Sequence, residues 1–143
     1  MRITHSVDIP APVERVWRVY TNVERWPLWM ESMDHVDVMD GRALTLGSQV
    51  WIKQPRLPAA TWEVTELDPG RSWTWIARSR GVTSTATHQL TAVDDVTTRV
   101  DTAIAFSGLT GALLGRMVSS RTREYLTLEA EGLRAACDFD AAS

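Results

Sequence analysis

Cysteine is nearly absent: Cys137 is the only one in 143 residues. One thiol cannot form an internal disulfide, so packing must hold the fold, and the usage fits a reducing cytoplasm. Cys137 itself reads as a small buried hydrophobe near a helix end. Histidine is scarce, with 3 copies, and His5, His35 and His88 show no metal-ligand spacing with Cys137. No metal and no cofactor are expected. There is no run of Lys and Arg, and the formal net charge is −3, which argues against a nucleic-acid partner. No apolar stretch approaches the roughly 18 residues of a membrane span. The opening MRITHSVDIP lacks the charged start and continuous apolar run of a signal peptide, again pointing to the cytoplasm. GALLGR follows no mononucleotide-binding strand pattern, and no Ser/His/Asp order stands out.

What is present is tryptophan. There are 7, against 2 Phe and 2 Tyr. The rest of the composition, 44% apolar and 23% charged, is ordinary for a globular chain. The length suits one domain, which buries about 70% of its unfolded surface.

The pattern along the chain is strand, helices, strands, helix. RITHSVDIP alternates with period two. In APVERVWRVYTN, Pro12 suits a first helical turn, Glu14 its positive end, and Val13, Val16, Trp17 and Tyr20 share a face. VERWPLWMES then places Trp26 and Trp29 around Pro27, which predicts a short helix broken near the proline. Six strands are expected between residues 35 and 106. They are separated by GRALTLG, PRLPA, DPG, Gly81 and the hairpin DD, and form an antiparallel meander. A helix-period pattern then predicts a long helix over 109–137 and a frayed tail over 139–143.

The strands alternate as a sheet with one covered face should. Val50 and Ile52 oppose Gln49 and Lys53, which turns Trp51 outward. Trp62 and Val64 oppose Glu63 and Thr65. Trp73, Trp75 and Ala77 oppose Thr74 and Arg78, with Ile76 breaking the pattern. The inward set also holds Ala77, Ser84, Ala86 and Thr102. Small residues facing large ones imply either interdigitation or a void.

VDIPAPVERVW, VERWPLW, WEVTELDPG leading to WTW, and YLTLEAEGL resemble the START-like (SRPBCC) superfamily over residues 2 to 138. Within it the chain is most similar to the bacterial polyketide cyclase/dehydrase and lipid-transport group. The resemblance implies a single α+β helix-grip domain over 1–138, with a seven-stranded antiparallel sheet wrapped around the long C-terminal helix. An apolar cavity would lie between them.

The cavity implied by that resemblance makes the inward residues candidate ligand contacts: Ile52, Trp62, Trp75, Ala86 and Thr102 on the sheet, Met117 on the helix, and Gln54 and Leu57 at the rim. Trp26 and Trp29 are expected either as a wall or lid of the cavity or as a plug of the core end. On the long helix, a spacing of about 100° per residue groups Leu114, Met117, Val118, Tyr125 and Leu128, with Arg121 in their midst. A buried arginine needs an acceptor or a wet cavity, unless it snorkels out over apolar surface. His88, inward on its strand, is either a satisfied core residue or a proton carrier. The expected function is binding of a hydrophobic lipid or polyketide-like molecule. The alternative is a cyclase/dehydratase in which Arg121 stabilises an enolate and His88 or Tyr125 moves the proton. A protein-binding surface also occurs on this fold, and nothing in the sequence favours it. The oligomeric state, including a homodimer, is left open.

Overall fold

The structure is a computed structural model and describes residues 1–142. Strand β1 (Arg2–Ile9) leads into α1 (Val13–Thr21), a 3-10 turn (Val23–Arg25) and the one-turn helix α2 (Trp26–Trp29). Six strands follow: β2 (His35–Val38), β3 (Gln49–Lys53), β4 (Ala60–Asp68), β5 (Ser72–Ser79), β6 (Val82–Asp94) and β7 (Thr97–Ser107). The long helix α3 (Gly111–Ala142) closes the chain. Pro27 sits in the first turn of α2, where its missing N–H costs nothing. The tail expected from Phe139 onward is helical instead, as far as Ala142, while Ser143 lies outside the described residues.

The sheet is seven-stranded and antiparallel, in the order β1-β7-β6-β5-β4-β3-β2. The meander β2 to β7 is as the turn signals indicate. β1 completes it by pairing with β7, His5 opposite Thr102. The register of β4 on β5 slips between Val64 and Glu66, a bulge of the kind that bends a strand and helps a sheet curl. The expected alternation holds: Val50, Ile52, Val64, Trp73, Trp75 and Leu90 are buried, and Trp51 on the other face is only half-buried.

The space under α3 is filled unevenly. At the end covered by α1 and α2, Trp26, Trp73, Tyr20, Met30 and Leu133 are fully buried. Their rings meet mostly edge-on, Trp26 against Trp75 at 5.5 Å and Tyr20 against Trp73 at 4.8 Å, an arrangement favoured by the ring quadrupoles. Trp26 finds its polar partner as well, donating from Nε1 to the Tyr20 carbonyl at 2.9 Å. Of the two readings of Trp26, the structure gives the plug. Arg18 ties α1 to the last turns of α3 by a 2.5 Å bond to Asp140. The backbone of α2 approaches α3 so closely that a Cβ at Gly132 would collide with the Trp29 carbonyl oxygen.

Candidate ligand cavity

At the opposite end the inward residues shrink. Ala77 on β5 and Ser84 on β6 face each other in register, and the α3 residues above this end include Val118 and Thr122. Large residues on one side and small ones on the other leave unfilled space here. A cavity of about 460 Å³ opens between the ends of β3 to β7, the first half of α3 and the β3–β4 loop. Its apolar lining includes Ile52, Trp62, Val82, Ile104, Phe106 and Leu114. Gln54, Thr61, Ser84, Thr122 and Tyr125 supply hydroxyl and amide groups, and Arg78 adds a cation on an exposed strand end.

The β3–β4 loop forms one wall and is held at several points. Lys53 Nζ donates to the carbonyls of Gln54 and Leu57, both at 2.6 Å. Gln54 Nε2 donates to the Ser32 carbonyl at 3.2 Å. From across the cavity, the Tyr125 hydroxyl donates to the Pro55 carbonyl. Arg56 takes a left-handed conformation, φ 64°, unusual for a residue with a Cβ. The loop is therefore a shaped element rather than a loose connection.

Of the residues expected to meet a ligand, Ile52, Gln54, Leu57, Trp62 and Tyr125 line this cavity. The others lie elsewhere. Trp26 is in the closed core. Trp29 is half-buried beside it, 6.5 Å between ring centroids, and borders an open groove between α1 and the end of α3. Trp75 stands behind Trp62, 6.0 Å away, so it backs the wall without forming it. Ala86 packs against the core, and Thr102 is buried with its hydroxyl directed at the His5 carbonyl. Met117 is 75% exposed.

Met117 and Arg121 share one correction. The inward stripe of α3 runs through Leu114, Val118, Thr122, Leu126, Ala130 and Leu133. It is rotated from the stripe that Met117 and Arg121 imply. Arg121 lies on its flank, half-buried, outside the cavity lining. It also forms none of the ion pairs among the described residues.

Of its two readings, His88 takes that of a core residue. Its ring stacks on Trp73 at 3.9 Å with the planes 9° apart. Nδ1 lies 3.2 Å from the Trp73 carbonyl. A carbonyl can only accept, so Nδ1 carries the proton. Burial pushes the pKa down to about 3, partly opposed by the bond to the Trp73 carbonyl. His88 is a neutral core residue, away from the cavity. Burial likewise pushes the Cys137 thiol up to about 12, too high for a nucleophile at neutral pH.

Two further titratable residues escaped the sequence reading of the site. Glu129 and Tyr20 are both buried, and burial pushes the Glu129 carboxyl up to about 7. Tyr20 is raised by burial and then by the nearby Glu129. The two groups are close enough to perturb each other, yet the Tyr20 hydroxyl completes no hydrogen bond of good geometry. The signal for Glu129 was present in YLTLEAEGL: it is in helical phase with Leu126 and Leu133, a carboxyl on the apolar face.

A seven-stranded antiparallel sheet curled on a long C-terminal helix, with a cavity at the loop end, is the START-like helix-grip architecture. The chain belongs to the family described as polyketide cyclase / dehydrase and lipid transport, which it matches over residues 1–138. Among solved structures, it is similar to the Zhui aromatase/cyclase from Streptomyces sp. R1128, with TM-score 0.78, 15% identity, and 96% of this chain and 93% of that one covered. A START superfamily protein from Mycobacterium smegmatis aligns with TM-score 0.72 and 13% identity, covering 92% of this chain and 94% of the other. Norcoclaurine synthase from Thalictrum flavum, in complex with dopamine and hydroxybenzaldehyde, aligns with TM-score 0.72 and 12% identity, covering 94% and 84%. At such identities the likeness is one of fold. No curated protein matches the chain in sequence. No helix among the described residues is long and apolar enough to cross a membrane.

Proposed function

We propose that the protein binds one hydrophobic small molecule, lipid or polyketide-like, in the cavity between the β3–β4 loop, the sheet and the first half of α3. The observation that carries this reading is the cavity itself: about 460 Å³ with a mostly apolar wall and a few hydroxyl and amide groups. That is the size and chemistry of a small-molecule site, where apolar surface supplies affinity and sparse polar groups set orientation. Ile52, Gln54, Leu57, Trp62 and Tyr125 are the contacts proposed from both sequence and geometry.

The second reading, a cyclase or dehydratase, is favoured by the family description, which names both activities. It requires polar groups presented to the ligand. Of Arg121, His88 and Tyr125, only Tyr125 lines the cavity, and its hydroxyl is already engaged by the Pro55 carbonyl. Binding is therefore the stronger proposal.

Trp62 reports on the site directly. Titration with an apolar naphthalene probe should change tryptophan emission and saturate at one molecule per chain. Ser84→Phe fills the cavity from the floor and should weaken binding at least about tenfold, the scale of about 1.4 kcal/mol. Undiminished binding to a folded Ser84→Phe variant would place the probe elsewhere and defeat the reading.

A further inference from the structure

The outer face of α3 begins with side chains that a helix in water ordinarily turns inward. Leu113 and Met117, one turn apart, are 62% and 75% exposed, and Leu109, in the turn before the helix, is 99% exposed. A single exposed leucine is ordinary, whereas a cluster marks a surface that meets something. Leu109 is presented by a rigid turn. Thr110 donates to the Gly81 carbonyl from its backbone N at 2.9 Å and from its hydroxyl at 3.0 Å. Gly108, at φ 98°, approaches so closely that a Cβ there would stand 2.7 Å from the same oxygen. The leucine therefore projects from two turns that are tied together.

The charge around these side chains has one sign. Arg78 and Arg80 lie on the end of β5 and the β5–β6 turn, Arg116, Arg121 and Arg123 on the first half of α3, and Arg56 on the β3–β4 loop. These are 6 of the 15 basic residues, while residues 54–59, 76–84 and 106–123 hold none of the 18 acidic ones. The first carboxylates lie outside: Glu124 further along α3, and Asp34 beside Lys53 at the sheet edge. Among the described residues none of the six arginine side chains makes a hydrogen bond or an ion pair, although Arg15 and Arg18 reach Asp140 and Arg99 reaches Asp8. The molecule is thus polarised, with an excess of acid elsewhere and an unpaired basic end that attracts an anionic surface.

We infer that this end of the molecule, Leu109, Leu113 and Met117 among the six arginines, docks on the surface of an anionic lipid bilayer. The arginines meet the headgroups, and the three apolar side chains enter the boundary with the acyl chains. Two features favour a bilayer over an acidic protein. The apolar side chains protrude singly from a helix and a turn, so a protein would need a separate pocket for each, whereas a fluid interface receives them without one. The arginines are spread over three elements rather than converging on one acceptor, which suits many mobile headgroups. The inference stands apart from the cavity reading, although the other side of the same half of α3 lines the cavity with Leu114 and Val118.

Cosedimentation of the full chain with sucrose-loaded vesicles tests it. Phosphatidylcholine vesicles containing about a third phosphatidylglycerol should bind at least about tenfold more tightly than pure phosphatidylcholine, since each arginine near such a surface contributes about fivefold. Binding should fall steeply in about 0.5 M salt. Leu109→Ser with Leu113→Ser alters two exposed side chains, so the fold should hold while binding drops about tenfold or more. Arg80→Glu with Arg116→Glu should abolish binding. Arg42→Glu with Arg71→Glu makes the same charge change on the β2–β3 loop and the β4–β5 turn, at the other end of the sheet, and should leave most of the binding in place. Ser84→Phe, which fills the cavity, should bind vesicles as the parent does, so docking and cavity binding can fail separately. Binding to neither vesicle, or no preference for the anionic one, would overturn the inference, as would an equal loss in the two arginine pairs. Loss in Arg80→Glu with Arg116→Glu but full binding in the leucine variant would overturn it too, and would mark the face as one for a soluble acidic partner.

Discussion

Glu129→Gln should tilt the pH dependence of stability, because it unmasks an opposing group. In the unfolded chain Glu129 titrates near its ordinary 4.5, and in the folded protein near 7. Between those values the folded state holds a proton that the unfolded state has released. Stability from this group is therefore full below the lower value and is lost as pH rises through the upper one. The slope is about 1.4 kcal/mol per pH unit and the whole effect about 3 kcal/mol. His88 works the other way. Its ordinary value is 6.5 and its folded value about 3. Below 6.5 the unfolded chain takes up a proton that the buried imidazole refuses, so stability falls as pH falls. The two windows overlap between 4.5 and 6.5, and there the slopes cancel. The parent protein should be nearly flat across that range as far as these two groups go. Glu129→Gln leaves the His88 slope alone, so relative to the parent its stability should climb by about 3 kcal/mol from pH 4.5 to 6.5. His88→Phe, which retains a ring to stack on Trp73, should instead decline by a similar amount, and the double variant should match the parent's slope. Urea unfolding followed by tryptophan emission at several pH values measures all four profiles. A Glu129→Gln profile parallel to the parent's would refute the buried, protonated carboxyl.

Two local predictions follow from packing and hydrogen bonding. Gly132→Ala gains about 1 kcal/mol of helix propensity, but its methyl meets the Trp29 carbonyl, a backbone atom that cannot rotate away. The net should be a loss of about 1–3 kcal/mol, the usual cost of overpacking; a stabilised variant in thermal unfolding would show that α2 and α3 are not so close. Tyr125→Phe removes the hydroxyl that fastens α3 to the β3–β4 loop. It should cost about 1 kcal/mol and raise the probe's dissociation rate in stopped-flow several-fold, whereas an unchanged rate would mean that the loop does not control exit.

The strands were legible because their chemistry is one-sided. A sheet with one covered face writes its register as alternation, so Trp62, Trp73 and Trp75 could be turned inward and Trp51 outward from the sequence alone. The long helix was harder. Leu113, Met117 and Phe139 are exposed, and apolar residues on the outer side blur the phase of the stripe. A rotation by one residue is enough to exchange Arg121 for Thr122 on the inward side. The cavity's place was also hidden. Ser84 borders empty space, while Ala86, two residues further along the same face of β6, packs against the core. Alternation tells which face a residue takes, and only the partners across the layer decide whether the space is filled. Trp26 shows the same limit: its burial depends on Tyr20 of α1 and on Trp73 and Trp75 of β5, which arrive from two other elements.

The pairing of β1 with β7 governs how the molecule can assemble. The hydroxyl of Thr102 reaches the carbonyl of His5 across 97 positions of chain. β2 to β6 can zip up as neighbouring hairpins, each closing a short loop. β1 cannot join until β7 exists, and joining then closes the longest loop of the sheet, which carries the largest closure entropy. Contacts of such long range slow folding. Throughout that wait β7 has an open edge, and α3 has only part of the concave surface it will finally cover. The rate-limiting event should therefore be the docking of β1, with its Ile3, Val7 and Ile9, onto a meander that is already formed.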